Sequence, residues 1–414
     1  MATIRPFRAF RPIPELADKV AALPYDVMSS DEARHMTEGN PYSFLHVDKA
    51  EIDLPRNIDL YDPLVYETAK NNLQKMISNG IFVQEDKPCM YLYKQIMNGR
   101  AQVGIVACSS IDDYLNNVIK KHELTRADKE EDRCKHVDTC NAQTGPIFLT
   151  YRSRPAINEI TEKIMQQTPL YDFISGNVEQ TVWIIDNEQD MELLISEIAA
   201  AGDTYIADGH HRTASAVHVG QKRRLEHPNY TGEEEFNYFL SVLFADNQLH
   251  IMDYNRVVND LCGISPMEFM AKISDNFAIE MYVGDGPCHP ESKHSFGMYL
   301  QGRWYLLTAY EDTYDESDPV ASLDVSILQN NLLGPILNIQ DPRTDKRIDF
   351  VGGIRGLAEL EKRVNAGAAV AFAMYPTTVG ELMDIADAGL IMPPKSTWFE
   401  PKLLSGLFIH QLDR

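Results

Sequence analysis

The segment Thr204–Ala216, TYIADGHHRTASA, constrains the fold of this chain more than any other. Asp203–Ala207 reads as a short strand, and the residues from Thr213 onward read as a helix. Between them Gly209 permits a sharp turn. A strand that turns directly into a helix leaves the first helical amides unpaired at the turn. Those amides and the helix dipole favour an anion, so Gly209, His210, His211, Arg212 and Thr213 form a candidate phosphate cradle. Arg212 adds a planar fork suited to phosphate, and the histidines add donors or acid–base capacity. Asp208 is the candidate ligand for Mg²⁺ or for a ribose hydroxyl. The plain alternative is a capped helix with surface histidines, and short motifs of this kind also arise by chance.

The chain around this segment alternates between strand and helix patterns, which implies a mixed α/β protein. Its 414 residues exceed one ordinary core, so two or three domains are expected. Pro and Arg punctuate Ile4–Asp26, an expected extended arm. Tyr42–Val47 reads as a strand. Leu64–Asn79 has helical apolar spacing, and Asn98-Gly99 signals a hairpin between Cys89–Ile96 and Gln102–Ser109. Asn117–Thr144 is polar and helical in composition. Phe236–Phe244 and His250–Val258 read as a second hairpin through Asp246-Asn247, with a domain boundary near residue 260.

Charge narrows the partners. Acidic residues outnumber basic ones 61 to 38 and the net charge is -23, whereas a nucleic-acid binder needs a basic stripe. No nucleic-acid partner is expected, while a locally basic pocket for a small anion remains compatible with an acidic protein. No apolar run approaches the ~20 residues of a membrane span, so no membrane partner and a cytoplasmic location are expected. The six cysteines lack paired metal spacing and read as free thiols.

Three further segments carry candidate chemistry. Lys120–Thr125, KKHELT, holds Glu123 as a candidate general base beside His122 as a candidate substrate ligand, followed by Lys129 and Arg133 one helical turn apart. A solvated charged helix is the plainer reading of it. Met392–Gly406, MPPKSTWFEPKLLSG, holds Lys395, Ser396 and Thr397 as candidate phosphate ligands, with Lys402 nearby. Lys395 and Lys402 are both able to hold a phosphate; the segment lacks the glycines of a P-loop, and a packed C-terminal segment is an equal reading. Leu23–Val27, LPYDV, holds Tyr25 and Asp26 as candidate substrate ligands, against a strand end or helix cap. There is no GxSxG elbow and no GxGxxG, which removes the α/β-hydrolase and dinucleotide-binding readings.

Taken together, LPYDV, NPYSFLHV at 40–47, EIDLP at 51–55, KKHELT, IADGHHRTASA and MPPKSTWFEPKLLSGL resemble a bacterial and archaeal domain-of-unknown-function family, number 1015. That family is in turn similar to the ParB/sulfiredoxin superfamily and, within it, to free L-serine kinases. The resemblance implies a ParB/sulfiredoxin-like core at 1–55 and 177–260. It also implies an inserted α/β region at 56–176 and a C-terminal α/β domain at 261–414. It implies phosphate contacts at Gly209, His210, His211 and Arg212, with ADP or ATP as co-substrate. Asp208 would lie near the metal or the acceptor hydroxyl. The catalytic set is then Glu123, Asp208 and His211, with Asp26 as second choice for the base.

Two classes of function follow. The first is a small-molecule phosphotransferase that passes a phosphoryl group to a hydroxyl such as that of serine. The second is a nucleotide-responsive module whose readout is another protein or a homo-oligomer. A metabolic enzyme acting on a phosphorylated substrate without nucleotide is a third, plainer reading.

Overall fold

The computed structural model describes residues 1–413. The chain is mixed α/β and divides into two units, Met1–Leu249 with Pro401–Arg414, and His250–Glu400.

The first unit is built on a nine-stranded sheet. Its strands are β1 (Ile4–Arg5), β2 (Met90–Met97), β3 (Arg100–Ser110), β4 (Ile119–Lys120), β5 (Ile147–Tyr151), β6 (Tyr171–Ser175), β7 (Val178–Ile185), β8 (Thr204–Asp208) and β9 (Tyr238–Ala245). The order is β4-β8-β5-β9-β3-β2-β7-β6, with β1 on β3. Most pairings are antiparallel, but β8 runs parallel to β4 and β9 parallel to β5. Central strands are apolar on both faces, as in Ile147–Tyr151, because helices and loops cover them. The principal core joins Ile105, Ile147, Leu149, Ile206 and Leu243 from these strands to Leu194, Ile198, Ala216 and Val217 from helices.

Four helices of this unit matter here: α1 (Pro63–Ser78), α2 (Ala127–Cys140), α3 (Glu188–Ala201) and α4 (His210–Glu226). Pro63 at the first turn and the Asp62 side chain, accepting from the Leu64 amide, start α1. Helices α2 and α4 pack side by side. The expected hairpin at Asn98-Gly99 is present, with both residues at positive φ as a tight primed turn requires.

Elsewhere the local pattern misled. Tyr42–Val47 is no strand: Leu45–Asp48 is helical, and its apolar side chains pack into a core with Val65, Ala69 and Leu73 of α1. Only residues 127–140 of the polar stretch 117–144 form α2; Ile119–Lys120 is strand β4. The expected hairpin of 236–244 with 250–258 does not form. Strand β9 pairs with β5 and β3, and the chain leaves this unit after Leu249. The boundary thus falls at 249/250 instead of 260/261, and the chain re-enters the first unit at Pro401. Residues 56–176, expected as an insertion, supply β2, β3, β4, β5 and β6 to the same sheet as β7, β8 and β9.

The second unit contains a six-stranded antiparallel sheet of β10 (Tyr254–Val258), β11 (Phe277–Met281), β12 (Ser295–Leu300), β13 (Arg303–Ala309), β14 (Ile348–Gly352) and β15 (Val370–Met374), in the order β11-β13-β12-β15-β10-β14. Among the described residues no helix is long and apolar enough to cross a membrane, and all six cysteines are free.

Candidate functional site

Strand β8 is buried along Thr204–Ala207 and ends at Asp208. Gly209 follows at φ 94 and ψ 33, the left-handed conformation, and α4 begins at His210. A Cβ on Gly209 would sit 3.1 Å from Arg212 Nε, so glycine is needed both for the turn and for the arginine folded over it. The Gly209 amide donates to Asp208 Oδ1 at 2.9 Å. The Thr213 amide and hydroxyl both donate to the Gly209 carbonyl, at 2.9 and 3.0 Å. The Thr213 hydroxyl, expected at phosphate, is therefore engaged in closing the first helical turn.

The Arg212 side chain is largely covered by this turn, with 10% of it exposed. Its Nη1 donates to the Pro146 carbonyl at 2.6 Å, and its Nη2 lies 3.9 Å from Asp208 Oδ2. Its Nε is buried with no hydrogen-bond partner. Burial works against the guanidinium charge, but Asp26, Asp208, Tyr25 and Asp48 outweigh it and hold its pKa above the ordinary value. Burial likewise opposes the Asp208 carboxylate. Lys402 Nζ, donating at 3.1 Å, and then Arg212 overcome it and hold that carboxyl at about 2.

Arg212 lines a narrow cleft of about 30 Å³, shared with Tyr25, Asp48, Arg133, Thr144 and Ser405. The Arg133 guanidinium lies 4.1 Å from the centre of the Tyr25 ring and pairs with Asp132 at 2.8 Å. Burial raises the Tyr25 hydroxyl pKa well above its usual range, so that hydroxyl stays protonated. Thr144 Oγ1 donates to Asp48 Oδ1 at 2.7 Å. Two largely covered arginines thus converge on one small cleft beside the turn.

The parallel pairing of β4 with β8 places Ile119 opposite Thr204 and Lys120 opposite Tyr205. The residues leaving both strands run on side by side, which brings His122 and Glu123 to the turn. The rings of His122 and His210 meet edge to face, with centroids 4.5 Å apart. A ligand atom from each of His122, Glu123 and His210 lies within 4.8 Å of the others. Burial pushes His122 down to about 4, against Asp208 and a hydrogen bond with the Ile206 carbonyl. Burial, then His122, pushes His210 well below its usual value. Both imidazoles are neutral at pH 7. His211 faces the other way: its Nε2 accepts from the Arg126 amide at 3.0 Å, at the start of α2. The two adjacent histidines therefore do different things, which periodicity did not separate.

The structure brings together Tyr25, Asp26, Asp208, Gly209, His210, Arg212, His122 and Glu123 in the first unit. Lys395, Ser396 and Thr397 belong to the second unit. There Lys395 has φ 61, its carbonyl accepts from Arg256 Nη2 at 3.1 Å, and the Ser396 hydroxyl donates to the Pro393 carbonyl at 2.6 Å. Asp208 was the expected Mg²⁺ ligand, but its carboxylate is occupied by Lys402 and the Gly209 amide. A second cation there would meet Lys402 and Arg212 at close range, and Mg²⁺ prefers several oxygen ligands. The residues around Asp208 do not fit Mg²⁺. Sequence reasoning missed Asp48, which carries no motif, left Arg133 without a role, and offered Lys402 to a phosphate, whereas its ammonium donates to Asp208.

The sequence profile of the family described as "Protein of unknown function (DUF1015)" matches residues 4–326. No curated protein matches the chain. Among solved structures it is similar to a free serine kinase in complex with AMP, at 12% identity and TM-score 0.37, over 75% of this chain and 91% of that one. It is also similar to a conserved hypothetical protein from Pyrococcus furiosus, at 13% identity and TM-score 0.34, over 73% and 94%. A third is SbnI with C-terminal truncation from Staphylococcus aureus, at 11% identity and TM-score 0.38, over 72% and 85%.

Proposed function

This chain belongs to the DUF1015 family, and we propose that its Gly209–Arg212 turn binds the phosphate of a nucleotide such as ADP or ATP and passes a phosphoryl group to a small hydroxyl acceptor. The observation that carries the reading is Arg212. A guanidinium is costly to bury, and this one keeps its Nε buried and without a partner at the first turn of α4, which has no side-chain cap. A phosphate oxygen supplies the missing acceptor. Arg133 adds a second, largely covered cation on the same cleft.

In this reading Gly209, His210 and Arg212 hold phosphate. Glu123 is the base, and Tyr25 and Asp26 orient the acceptor. The acceptor oxygen forms a bond to the terminal phosphorus, the bond from phosphorus to the bridging oxygen breaks, and the hydroxyl proton passes to the Glu123 carboxylate. Such a reaction asks mainly for positioning and charge stabilisation, which a rigid turn and largely covered arginines supply.

The test is an incubation of the full chain with ATP or ADP and a panel of hydroxylated amino acids, following release of the product nucleotide. Acceptor-dependent release that is lost in Arg212→Ala supports the reading. Nucleotide binding with a change in oligomeric state and no acceptor-dependent release would favour a nucleotide-responsive module instead.

A further inference from the structure

We propose that His122, Glu123 and His210 form a binding site for one divalent transition-metal ion of the Zn²⁺ class. This goes beyond the phosphate reading and stands whether or not that reading holds.

The three residues come from two separated stretches of chain, and the β4–β8 register brings them together. Their ligand atoms lie within 4.8 Å of one another. Small side-chain rotations close that spacing to the ~3–4 Å expected between donors each about 2.0–2.2 Å from one ion. Two imidazoles and one carboxylate are a donor set for a borderline ion, and not for Mg²⁺ or Ca²⁺, which take oxygen.

The second observation is independent of the spacing. His210 is 6% exposed, and its Nε2 is buried without any hydrogen-bond partner. An orphaned ring nitrogen in a buried site costs free energy unless something completes it. A metal ion completes it. His122 also has the outer support that ligating histidines use, a hydrogen bond to the backbone carbonyl of Ile206 that sets the ring. Three protein ligands leave a fourth coordination position for water or another ligand. Coordination through one carboxylate oxygen leaves the second oxygen of Glu123 able to accept a proton, so the ion and the base role are compatible.

The experiment uses the full chain after chelation and exhaustive dialysis. ZnCl₂ is titrated calorimetrically, bound metal is counted after desalting, and CoCl₂ is added as a spectroscopic substitute. The expected result is one Zn²⁺ per chain, visible Co²⁺ bands, and no displacement by excess MgCl₂. His210→Ala and Glu123→Gln, each verified as folded by circular dichroism, weaken binding by at least the ~10–100-fold that loss of even an outer-shell partner costs a metal site. His218→Ala, an exposed histidine on α4, leaves it unchanged. His210→Asn is a second variant should His210→Ala fail to fold. Absence of stoichiometric Zn²⁺ binding, or unchanged binding in the folded His210 variant, overturns the proposal. No nucleotide is present, so the outcome is independent of the phosphate reading.

Discussion

The ammonium of Lys402 donates to Asp208 Oδ2 at 3.1 Å, joining residues 194 apart in sequence. The contact pins the C-terminal return of the chain to the turn that carries Gly209 and Arg212. It also decides the state of Asp208, which is held as a carboxylate and engaged as an ion-pair partner.

Loss of that ion pair is expected to change acid stability. Asp208 has a carboxyl lowered from 3.8 to about 2. A lowered carboxyl contributes stability that is fully present above its unfolded pKa and is lost as pH falls through the folded one. The window here runs from about 4 down to about 2, and the contribution is roughly 2 kcal/mol. Lys402→Met removes it, so unfolding midpoints in urea at neutral pH drop, and those of wild type and variant converge near pH 2.

Arg212→Ala is expected to weaken nucleotide binding by about 10–100-fold, the scale of a lost hydrogen bond to a charged group. Arg212→Lys recovers little, because an ammonium cannot reproduce the fork that spans Pro146 and the turn. Calorimetric titration with ADP measures both.

Gly209→Ala forces a side chain into the left-handed conformation and toward Arg212 Nε. The expected cost is roughly 1–3 kcal/mol, read as a lower thermal midpoint, with a loss of nucleotide affinity as Arg212 is displaced. An alanine variant with unchanged stability and affinity would contradict the account of this turn.

In the second unit, burial raises Asp324 to about 7, although its Oδ1 accepts from the His294 amide at 2.8 Å. Its Oδ2 has no hydrogen-bond partner. A carboxyl raised above its unfolded value costs stability as pH climbs from about 4 to about 7, by up to roughly 4 kcal/mol. Asp324→Asn keeps an acceptor for His294 and removes the charge. Its thermal midpoint is expected to exceed wild type at pH 8 and to match it near pH 4.

Local signals carried the turn itself. Asp208-Gly209 between an apolar strand and a helix was legible because strand burial, glycine conformation and helix initiation are all short-range matters, and the structure has Gly209 at positive φ with α4 starting at His210. The mixed α/β class and the Asn98-Gly99 hairpin were legible for the same reason. The return of the chain to the first unit at Pro401 was not, since it depends on contacts between segments far apart in sequence.

What the sequence by itself determined was the mixed α/β class, the Asn98-Gly99 hairpin and the glycine turn between β8 and α4. What only the tertiary structure decided was the company that turn keeps. The two residues of β4 are too short to be seen in a polar stretch, yet their register against β8 brings His122 and Glu123 to His210. Lys402 reaches Asp208 because the chain returns to the first unit after residue 400. His210 and His211 were equivalent as letters, and the packing of α4 turned one inward toward His122 and the other toward Arg126. Periodicity records which side chains are apolar; which polar groups meet depends on how distant strands pair, and that is settled by the sheet as a whole.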